Sequence, residues 1–424
     1  MEFVKKLSRK QLFQHSYKDP SEYFASLLVL PNKIAGVAGL DVLSPDFKRF
    51  TPNLIGLVLT YVMFAGVSFS TIVEVRDDVD DLIYCLVTLG MGMQGLMKIF
   101  TFLLARDELV WIQEYSKRLF REEGIAHKCL IMNNILLMNV VTKLILVFYA
   151  FTTVFMLVAP MFITLTTDHK LLTFGFWLPF VDRFSWLGYG CNLVMHVIMS
   201  IFISAENMGP DTIYFMTLIN SYTQIDLMLA KIREVNNKIA NNNASYKEKL
   251  NDVFKRHQEH LEYIGVVEDV YRGYFFVLFS SLGASLVLVL YAVVTRSWLA
   301  GYNSCVFIIN ELFIFCFLPT LLERKLSWYQ GYVFIAFLSY QLFFGCFLGT
   351  LLAIKNEQLQ QAIYKVTWYK LSIPNQKMLQ FVLKSSQESV CMSLIFAPLD
   401  MSTYLQVYKS IYSLFTMLLT VEDE

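Results

Sequence analysis

The chain has 424 residues, of which 56% are hydrophobic and 15% aromatic, while only 17% are charged. Its mean hydropathy of +0.49 lies well above that of soluble domains. The formal net charge is zero and no basic patch alternates with aromatic residues, so the sequence does not indicate nucleic-acid binding. Apolar runs of about 20 residues, the length that crosses roughly 30 Å of hydrocarbon, recur along the chain. This composition predicts an all-α, polytopic helical membrane protein.

The apolar runs follow a basic N-terminal lead. Its 50 residues contain eight Lys and Arg, and the first twenty contain no apolar core of a signal peptide, so no cleaved leader is expected. The fourth run continues at helical spacing beyond residue 203, which predicts a helix longer than the bilayer is thick. Eight apolar runs are present, at residues 54–73, 82–104, 144–165, 186–203, 274–294, 302–322, 332–353 and 390–419.

Two adjacent runs are copies of each other. At an offset of 30 positions, residues 297–325 and 327–355 share fourteen identities over 29 positions. A solenoid needs at least three repeats, so the pattern indicates a local tandem duplication. The first copy carries Glu311 in mid-run and Pro319 near its end. Because a charge at the bilayer centre costs about 3 kcal/mol on insertion scales, the first copy is the weaker span.

The distribution of Lys and Arg predicts the orientation, because short cytoplasmic loops carry an excess of basic residues. Residues 354–390 contain five lysines and are expected inside, which requires six crossings before them when the N-terminus is also inside. We therefore predict seven crossings, a cytoplasmic N-terminus, an extracellular C-terminus and one extra apolar run at 297–325. The Lys and Arg counts behind this prediction are eight in the lead, one at 74–81, five at 105–132, two at 166–185 and seven at 231–260.

This topology divides the chain into six parts, and none of them carries a recognisable cofactor or catalytic motif. Seven cysteines form no CxxC motif and no Cys–His cluster, so neither a disulfide framework nor a metal site is predicted. No Gly-rich phosphate loop, HExxH or GxSxG occurs, so no cofactor and no enzyme activity are expected. The parts are a cytoplasmic lead at 1–50, helices one to four at 51–230, a cytoplasmic charged extension of helices four and five at 231–270, helix five, the duplicated run and helix six at 271–353, a cytoplasmic anchor segment at 354–390, and the last helix with an external tail at 391–424. The charge run at 231–260 is expected to be a solvated helical face.

Four short motifs resemble one protein family, the insect odorant receptors. Each motif alone is weak, but their combination is specific, and the layout of apolar runs fits over essentially the whole chain. Members of the family have seven membrane helices with the N-terminus inside. The motifs are Lys-Arg-His-Gln at 255–258, Gln-Leu-Phe with a later Cys and Gly at 341–349, Ala-Ile-Tyr with Trp-Tyr at 362–369, and Ser-Ile-Tyr-Ser-Leu-Phe-Thr at 410–416.

The resemblance implies a subunit of an odorant-gated, non-selective cation channel. In this family a tuning receptor assembles with a common co-receptor, as a tetramer whose last helices line a central pore. The chain is shorter than the co-receptor and lacks its long insertion between helices four and five, which indicates a tuning subunit. The expected location is the plasma membrane of a sensory-neuron dendrite, with the co-receptor, a small volatile odorant and membrane lipid as partners and no nucleic acid.

Two groups of residues are candidates for the pore and for subunit contacts. The pore candidates lie at i, i+3, i+4 and i+7, so they share one face of the last helix; helix packing explains this spacing equally well, and the resemblance favours pore lining. The anchor candidates lie in the segments where the family packs its subunits, although an interfacial aromatic belt is an equal alternative. The pore candidates are Tyr412, Phe415, Thr416 and Leu419, and the anchor candidates are His257, Tyr364, Trp368 and Tyr369.

An odorant pocket is expected in the outer halves of helices two, three, four and six. An apolar site with few polar groups suits a small volatile ligand that is recognised mainly by shape and burial. Plain core packing is the alternative for each residue, and His196 alone more often marks a hydrogen-bonded residue of the bundle. The candidates are Tyr84, Val87, Met91, Tyr149, Thr152, Met156, Tyr189, Asn192, Leu193, His196, Phe337 and Tyr340.

Three other functions compete with the odorant-gated channel as explanations of this sequence. A seven-helix receptor that signals through a cytoplasmic partner would have an external N-terminus. Its loops rich in Lys and Arg would then be the ones that are poor in these residues here, so the charge counts do not favour it. A secondary transporter would show two similar halves with broken helices at matching positions, whereas this chain shows only one local copy. A gustatory-receptor type of ligand-gated channel from the same superfamily is the nearest alternative, and the ending at 410–419 favours the odorant branch.

Overall fold

The computed structural model describes residues 19–166, 170–241, 245–298, 329–387, 393–394 and 397–422. Within these ranges the chain is almost entirely α-helical, which confirms the predicted fold class. The duplicated run at 297–325 lies outside the described residues except for its first two positions. The helices are α1 Pro20–Val37, α2 Pro52–Glu74, α3 Val79–Leu104, α4 Arg106–Glu123, α5 Lys128–Thr166, α6 Trp186–Ala240, α7 Tyr246–Trp298, α8 Tyr329–Tyr364, α9 Ile373–Gln387 and α10 Met401–Glu422.

Six of these helices, α2, α3, α5, α6, α7 and α8, are long and apolar enough to cross a membrane. They expose large apolar side chains such as Val62, Phe151 and Leu187, as contact with lipid requires. The last helix, α10, has 22 residues and is therefore about 33 Å long, which also suffices for a crossing. The protein is a multi-pass helical membrane protein.

The helix starts follow local sequence signals. Thr51 caps α2 by accepting a hydrogen bond from the backbone N–H of Leu54 at 3.2 Å, and a proline occupies the first helical position. Ser185 caps α6 in the same way, at 3.0 Å from the N–H of Gly188. Side-chain caps therefore fix where these two membrane helices begin.

Helix α6 is the centre of the bundle. It packs against α1, α3, α5, α7 and α8, and residues 209–225 are buried on every side. Its 55 residues span about 82 Å, more than twice the thickness of the hydrocarbon core. The helix therefore continues far beyond the bilayer, as the spacing of apolar residues predicted.

The charged stretch at 231–260 differs from the solvated face that the sequence predicted. Lys231 is buried, 2.7 Å from Glu123 of α4, and it also pairs with Asp252 of α7. Arg256 of α7 lies 2.7 Å from Glu122 and 3.0 Å from Glu123. The prediction was wrong for these two cations because α4, an amphipathic helix in a segment noted only for its charge, covers them.

A 3₁₀ turn, one helix and a pair of short strands separate α8 from the final helix. After α8 come a 3₁₀ turn, Trp368–Lys370, and then α9. An antiparallel pair of two-residue strands, β1 Ser393–Leu394 and β2 Ala397–Pro398, precedes α10. The final helix thus begins at Met401 and not near residue 390 as the apolar run predicted, and it packs against α7 and α8.

Candidate ligand cavity and candidate pore helix

A cavity of about 90 Å³ lies between α3, α5, α6 and α8. Since a buried water needs ~10–15 Å³ on this measure, the cavity has room for roughly six to nine groups of that size. Its wall combines apolar and aromatic side chains with a few polar ones. The lining residues are Met91, Gln94, Tyr149, Thr152, Thr153, Met156, Phe174, Ser200, Ile203, Ser204, Asn207, Phe337 and Gln341.

The structure brings only some of the predicted pocket residues to this cavity. Met91, Tyr149, Thr152, Met156 and Phe337 line it. The others do not belong to its wall: Tyr84, Val87, Tyr189, Asn192, Leu193, His196 and Tyr340.

Three of these outlying residues hold the loop between α5 and α6. Tyr84 donates its hydroxyl to the carbonyl of Thr173 at 2.5 Å, and the side-chain oxygen of Asn192 accepts from the N–H of Leu178 at 2.7 Å. Nε2 of His196 lies 3.1 Å from the carbonyl oxygen of Phe176. They therefore position a loop over one end of the cavity, and they do not face its interior.

The loop itself enters the bundle. Phe174 lines the cavity, and Phe176 and Trp177 are buried. Gly175 lies so close to α3 that an added Cβ would be 2.6 Å from the carbonyl carbon of Tyr84. A glycine is therefore required where the loop crosses the helix.

The cavity lies about one turn deeper along α6 than the sequence predicted. Ser200, Ile203, Ser204 and Asn207 line it at i, i+3, i+4 and i+7, starting four residues after His196. On α3, Gln94 likewise follows Met91 by one turn. Small polar residues at helical spacing within an apolar helix were the available signal.

A buried ion pair lies behind the wall of the cavity, in contact with two of its lining residues, Asn207 and Tyr149. Nζ of Lys98 lies 2.8 Å from Asp211 and 2.5 Å from the side-chain oxygen of Asn207, which itself lines the cavity. Tyr274 of α7 donates to the other oxygen of Asp211 at 3.0 Å. An unpaired charge in a membrane interior has a high free energy. These partners lower the free-energy cost of burying the lysine and the aspartate there.

Tyr149 and Gln341 connect the ion pair to the cavity wall. The hydroxyl of Tyr149 donates to the carboxylate of Asp211. The same hydroxyl oxygen accepts a hydrogen bond from Nε2 of Gln341 at 3.2 Å. Both side chains line the cavity, so a ligand there would contact groups whose orientation is set by the ion pair.

On α10 the predicted pore residues do not share one environment. Tyr412 is 62% exposed, whereas Phe415 is only 5% exposed and packs inside its own chain. Thr416 is partly exposed, and the side chain of Leu419 lies outside the described residues. The exposed face of α10 carries a polar stripe that sequence reasoning missed, formed by Ser402, Gln406, Lys409, Ser410 and Ser413.

Helix α8 joins the cavity to α10. Its residues Phe337 and Gln341 line the cavity, and Ser339 between them accepts a hydrogen bond from the hydroxyl of Tyr408 on α10 at 2.6 Å. Tyr340 instead stacks on Phe148 of α5, with ring centroids 3.7 Å apart. One turn of α8 thus contacts both the cavity and the last helix.

The predicted anchor residues also fall into two environments. His257 is 4% exposed and lies within the bundle, so it does not face a neighbouring subunit. Tyr364, Trp368 and Tyr369 are exposed around the 3₁₀ turn. The N–H and hydroxyl of Thr367 bind the side chain of Asn236 of α6, which fixes this turn against the long helix.

Comparisons with known proteins agree on one family. The family model of the seven-transmembrane odorant receptors matches residues 78–328 and 325–412, and the two stretches meet where the second copy of the duplication begins. "Putative odorant receptor 83c" of Drosophila melanogaster is 22% identical over 427 residues, with 95% of this chain and 98% of the relative covered.

Solved structures show the same fold. The olfactory receptor OR5 of Machilis hrabei in complex with eugenol superposes with a TM-score of 0.73 at 14% identity, covering 95% of this chain and 100% of that receptor. A second structure of OR5 gives a TM-score of 0.69, with 94% and 99% covered. Because the family model spans most of the chain, the resemblance seen in the short motifs is confirmed, and this protein belongs to the insect odorant receptor family.

Proposed function

We propose that this chain is the ligand-tuning subunit of a heteromeric, odorant-gated, non-selective cation channel in the dendritic plasma membrane of an insect sensory neuron. Its N-terminus would be cytoplasmic and its C-terminus extracellular, as the basic residues predict. Membership of the odorant receptor family supports the class of function. The observation that carries the proposal is the single turn of α8 that lines the cavity on one side and binds α10 on the other.

The cavity between α3, α5, α6 and α8 would hold the odorant. Its size, its largely apolar wall and its aromatic residues suit a small organic ligand. A protein of the same fold has been solved with eugenol, which supports binding of a small volatile molecule by this architecture. Met91 and Met156 offer adaptable contacts to ligands that differ in shape.

Gating would pass from the cavity to the pore through α8. A ligand that contacts Phe337 and Gln341 favours the position of α8 in which the cavity is filled. Because Ser339 binds Tyr408, a shift of this turn moves the attachment point of α10. Ligand binding thus biases the last helix between two positions, provided that the odorant binds one position more tightly.

The exposed stripe of α10 would face the ion pathway. Polar side chains such as Gln406 and Ser413 are costly against lipid, so they need water or protein beside them. The stripe contains no Asp or Glu, which agrees with weak cation selectivity. Phe415 is omitted from the proposed pore lining because it is buried in its own chain.

The exposed aromatics around the 3₁₀ turn would contact a neighbouring subunit. Tyr364, Trp368 and Tyr369 present a large apolar surface on a segment held by Asn236. Aromatic residues are enriched in protein interfaces, and a common co-receptor subunit is the partner that family membership implies. His257 takes no part in this proposed contact because it is buried within the bundle.

The experiment is whole-cell recording with a panel of volatiles, in cells that express this chain alone or together with the common co-receptor. Odorant-evoked cation current only with both subunits is expected. If neither condition gives current, deletion of residues 297–326 tests whether the duplicated run blocks assembly. Absence of current from the intact and the deleted chain, each shown at the surface with a broad panel, would contradict the proposal.

A further inference from the structure

We propose that the cavity selects small alcohols and phenols, whose O–H donates to Oε1 of Gln341 and whose oxygen accepts from Nε2 of Gln94. This inference rests on the proposed function, because it takes the cavity to be the odorant site. It goes further by naming the chemical class of the ligand and the two side chains that would distinguish it.

The hydrogen bonds around the ion pair determine which end of the Gln341 amide is the NH₂ group and which is the oxygen. The carboxylate of Asp211 beside Lys98 can only accept, so the hydroxyl hydrogen of Tyr149 is used on Asp211. The oxygen of Tyr149 can then only accept, and the group that donates to it must be the NH₂ of Gln341, at 3.2 Å. The amide oxygen of Gln341 is therefore the end of the side chain that is left to accept a hydrogen bond from another group.

That amide oxygen has no protein partner in the described part of the chain. Gln341 is 9% exposed, so Oε1 is a buried acceptor in the cavity wall. A buried polar group without a partner destabilises its surroundings, and a ligand that donates a hydrogen bond removes that penalty.

Gln94 supplies the complementary group. It is 3% exposed, lines the same cavity from α3, and its Nε2 finds no protein partner among the described residues. An NH₂ group needs an acceptor, which the lone pairs of a hydroxyl oxygen provide. The wall thus presents one unused acceptor and one unused donor, which is the pair that a hydroxyl group satisfies.

Four other polar side chains in the wall already have partners, and one of these contacts joins the hydroxyls of Ser204 and Thr153 at 2.8 Å. The hydroxyl of Thr152 donates to the carbonyl of Phe148 at 2.9 Å, and that of Thr153 donates to the carbonyl of Tyr149 at 2.9 Å. Asn207 accepts from Lys98 and donates to the carbonyl of Ile203 at 2.6 Å. Among the buried polar atoms of this wall, Nε2 of Gln94 and Oε1 of Gln341 are the two without a partner in the described part of the chain, so we assign the selectivity to them.

Other volatile classes satisfy the wall less well. A ketone, ester or ether accepts from Gln94 but leaves the oxygen of Gln341 unpaired, and a hydrocarbon leaves both unpaired. A site with buried polar groups rejects an analogue that lacks the matching hydroxyl much more strongly than it rejects a missing methylene. An ammonium ion donates but would lose its hydration in a cavity without a free carboxylate in its wall.

The test compares isomers on the channel formed with the co-receptor. Hexan-1-ol and methyl pentyl ether have the same atoms and nearly the same size, and phenol, hexan-2-one, heptane and hexylamine complete the panel. We expect the concentration that gives half-maximal current to be at least about tenfold lower for hexan-1-ol than for the ether, because the ether leaves the oxygen of Gln341 unpaired. Gln341→Leu should remove this preference, because it weakens the response to the alcohol and leaves the response to the ether unchanged.

The matched control is Gln380→Leu, the same change at an exposed position of α9 away from the cavity, which should preserve the preference. If Gln341→Leu fails to reach the surface, the wild-type ratio of alcohol to ether still decides the question. Equal responses to the two isomers, or stronger responses to the ketone or the amine, would overturn the inference while leaving an odorant-gated channel. No current to any volatile would instead count against the proposed function.

Discussion

Lys98 of α3 and Asp211 of α6 form an ion pair at 2.8 Å in the interior of the membrane bundle, with the lysine side chain only 1% exposed. Tyr149, Tyr274 and Asn207 complete the network around them. The network therefore joins four membrane helices, α3, α5, α6 and α7, beside the cavity. Both charges have little access to water.

Removal of one partner should destabilise the protein more than removal of both. Lys98→Met leaves Asp211 buried and unpaired, at an expected cost of ~3–5 kcal/mol, whereas the double variant with Asp211→Asn leaves no net charge. We expect a large loss of surface protein and a lower melting temperature for the single variant, with partial recovery in the double variant. Cell-surface labelling and thermal unfolding in detergent measure both. Equal losses in the two variants would contradict this account.

The ion pairs of α4 should matter for stability in proportion to their burial. Arg256→Met breaks contacts with Glu122, Glu123 and Glu259, while its neighbour Lys255 is largely exposed and lies 3.9 Å from Glu259. We expect a loss of ~1–3 kcal/mol for Arg256→Met, because Glu123 is buried but keeps Lys231 as a partner, and little change for Lys255→Met. Thermal unfolding of the purified protein checks this. A similar loss of stability in both variants would show that burial does not determine how much each ion pair contributes.

The loop over the cavity should tolerate no side chain at Gly175. Gly175→Ala places a Cβ against the backbone of Tyr84, which cannot yield without displacing the loop from α3. Gly190→Ala is the matched control, because a Cβ at Gly190 meets nothing within 4 Å. We expect at least a tenfold rise in half-maximal odorant concentration for Gly175→Ala at normal surface levels. An unchanged dose–response curve would place the loop outside the ligand site.

Some of this organisation was predictable from sequence and some was not. The apolar runs and their lengths indicate membrane helices because 20 apolar residues suffice for a crossing, and short motifs indicate the family. The depth of the cavity depends on how the loop with Phe174 inserts between α3 and α6, which is a tertiary contact. Residues such as Asn192 and His196 lie on the expected side of α6 but bind this loop, so composition alone could not separate them from the lining.

The last helix illustrates the same limit. Helical spacing places Tyr412, Phe415 and Thr416 on one side, but rotation of α10 against α7 and α8 buries Phe415 and exposes Tyr412. A packing face and a pore face have similar spacing in the sequence. Only the neighbours of the helix distinguish them.

The link between the cavity and α10 should appear as coupling between two hydroxyl groups. Ser339→Ala and Tyr408→Phe each remove the 2.6 Å hydrogen bond, so the double variant should be no worse than either single variant. We expect each single change to lower the maximal odorant-evoked current about twofold to fivefold, by ~0.5–1 kcal/mol of coupling, without a loss of surface protein. Additive effects in the double variant would show that the two residues act separately.

The most direct test of the central claim is chemical modification of α10 in the open channel. Ser413→Cys and Phe415→Cys are each expressed with the co-receptor and exposed to a positively charged thiol reagent while odorant current is recorded. The wild type is run in parallel because Cys129 and Cys191 are exposed. The account predicts that the reagent blocks the Ser413→Cys channel and leaves the Phe415→Cys channel and the wild type unchanged. Full surface labelling of the Ser413→Cys chain with undiminished current, or block only at position 415, would contradict it.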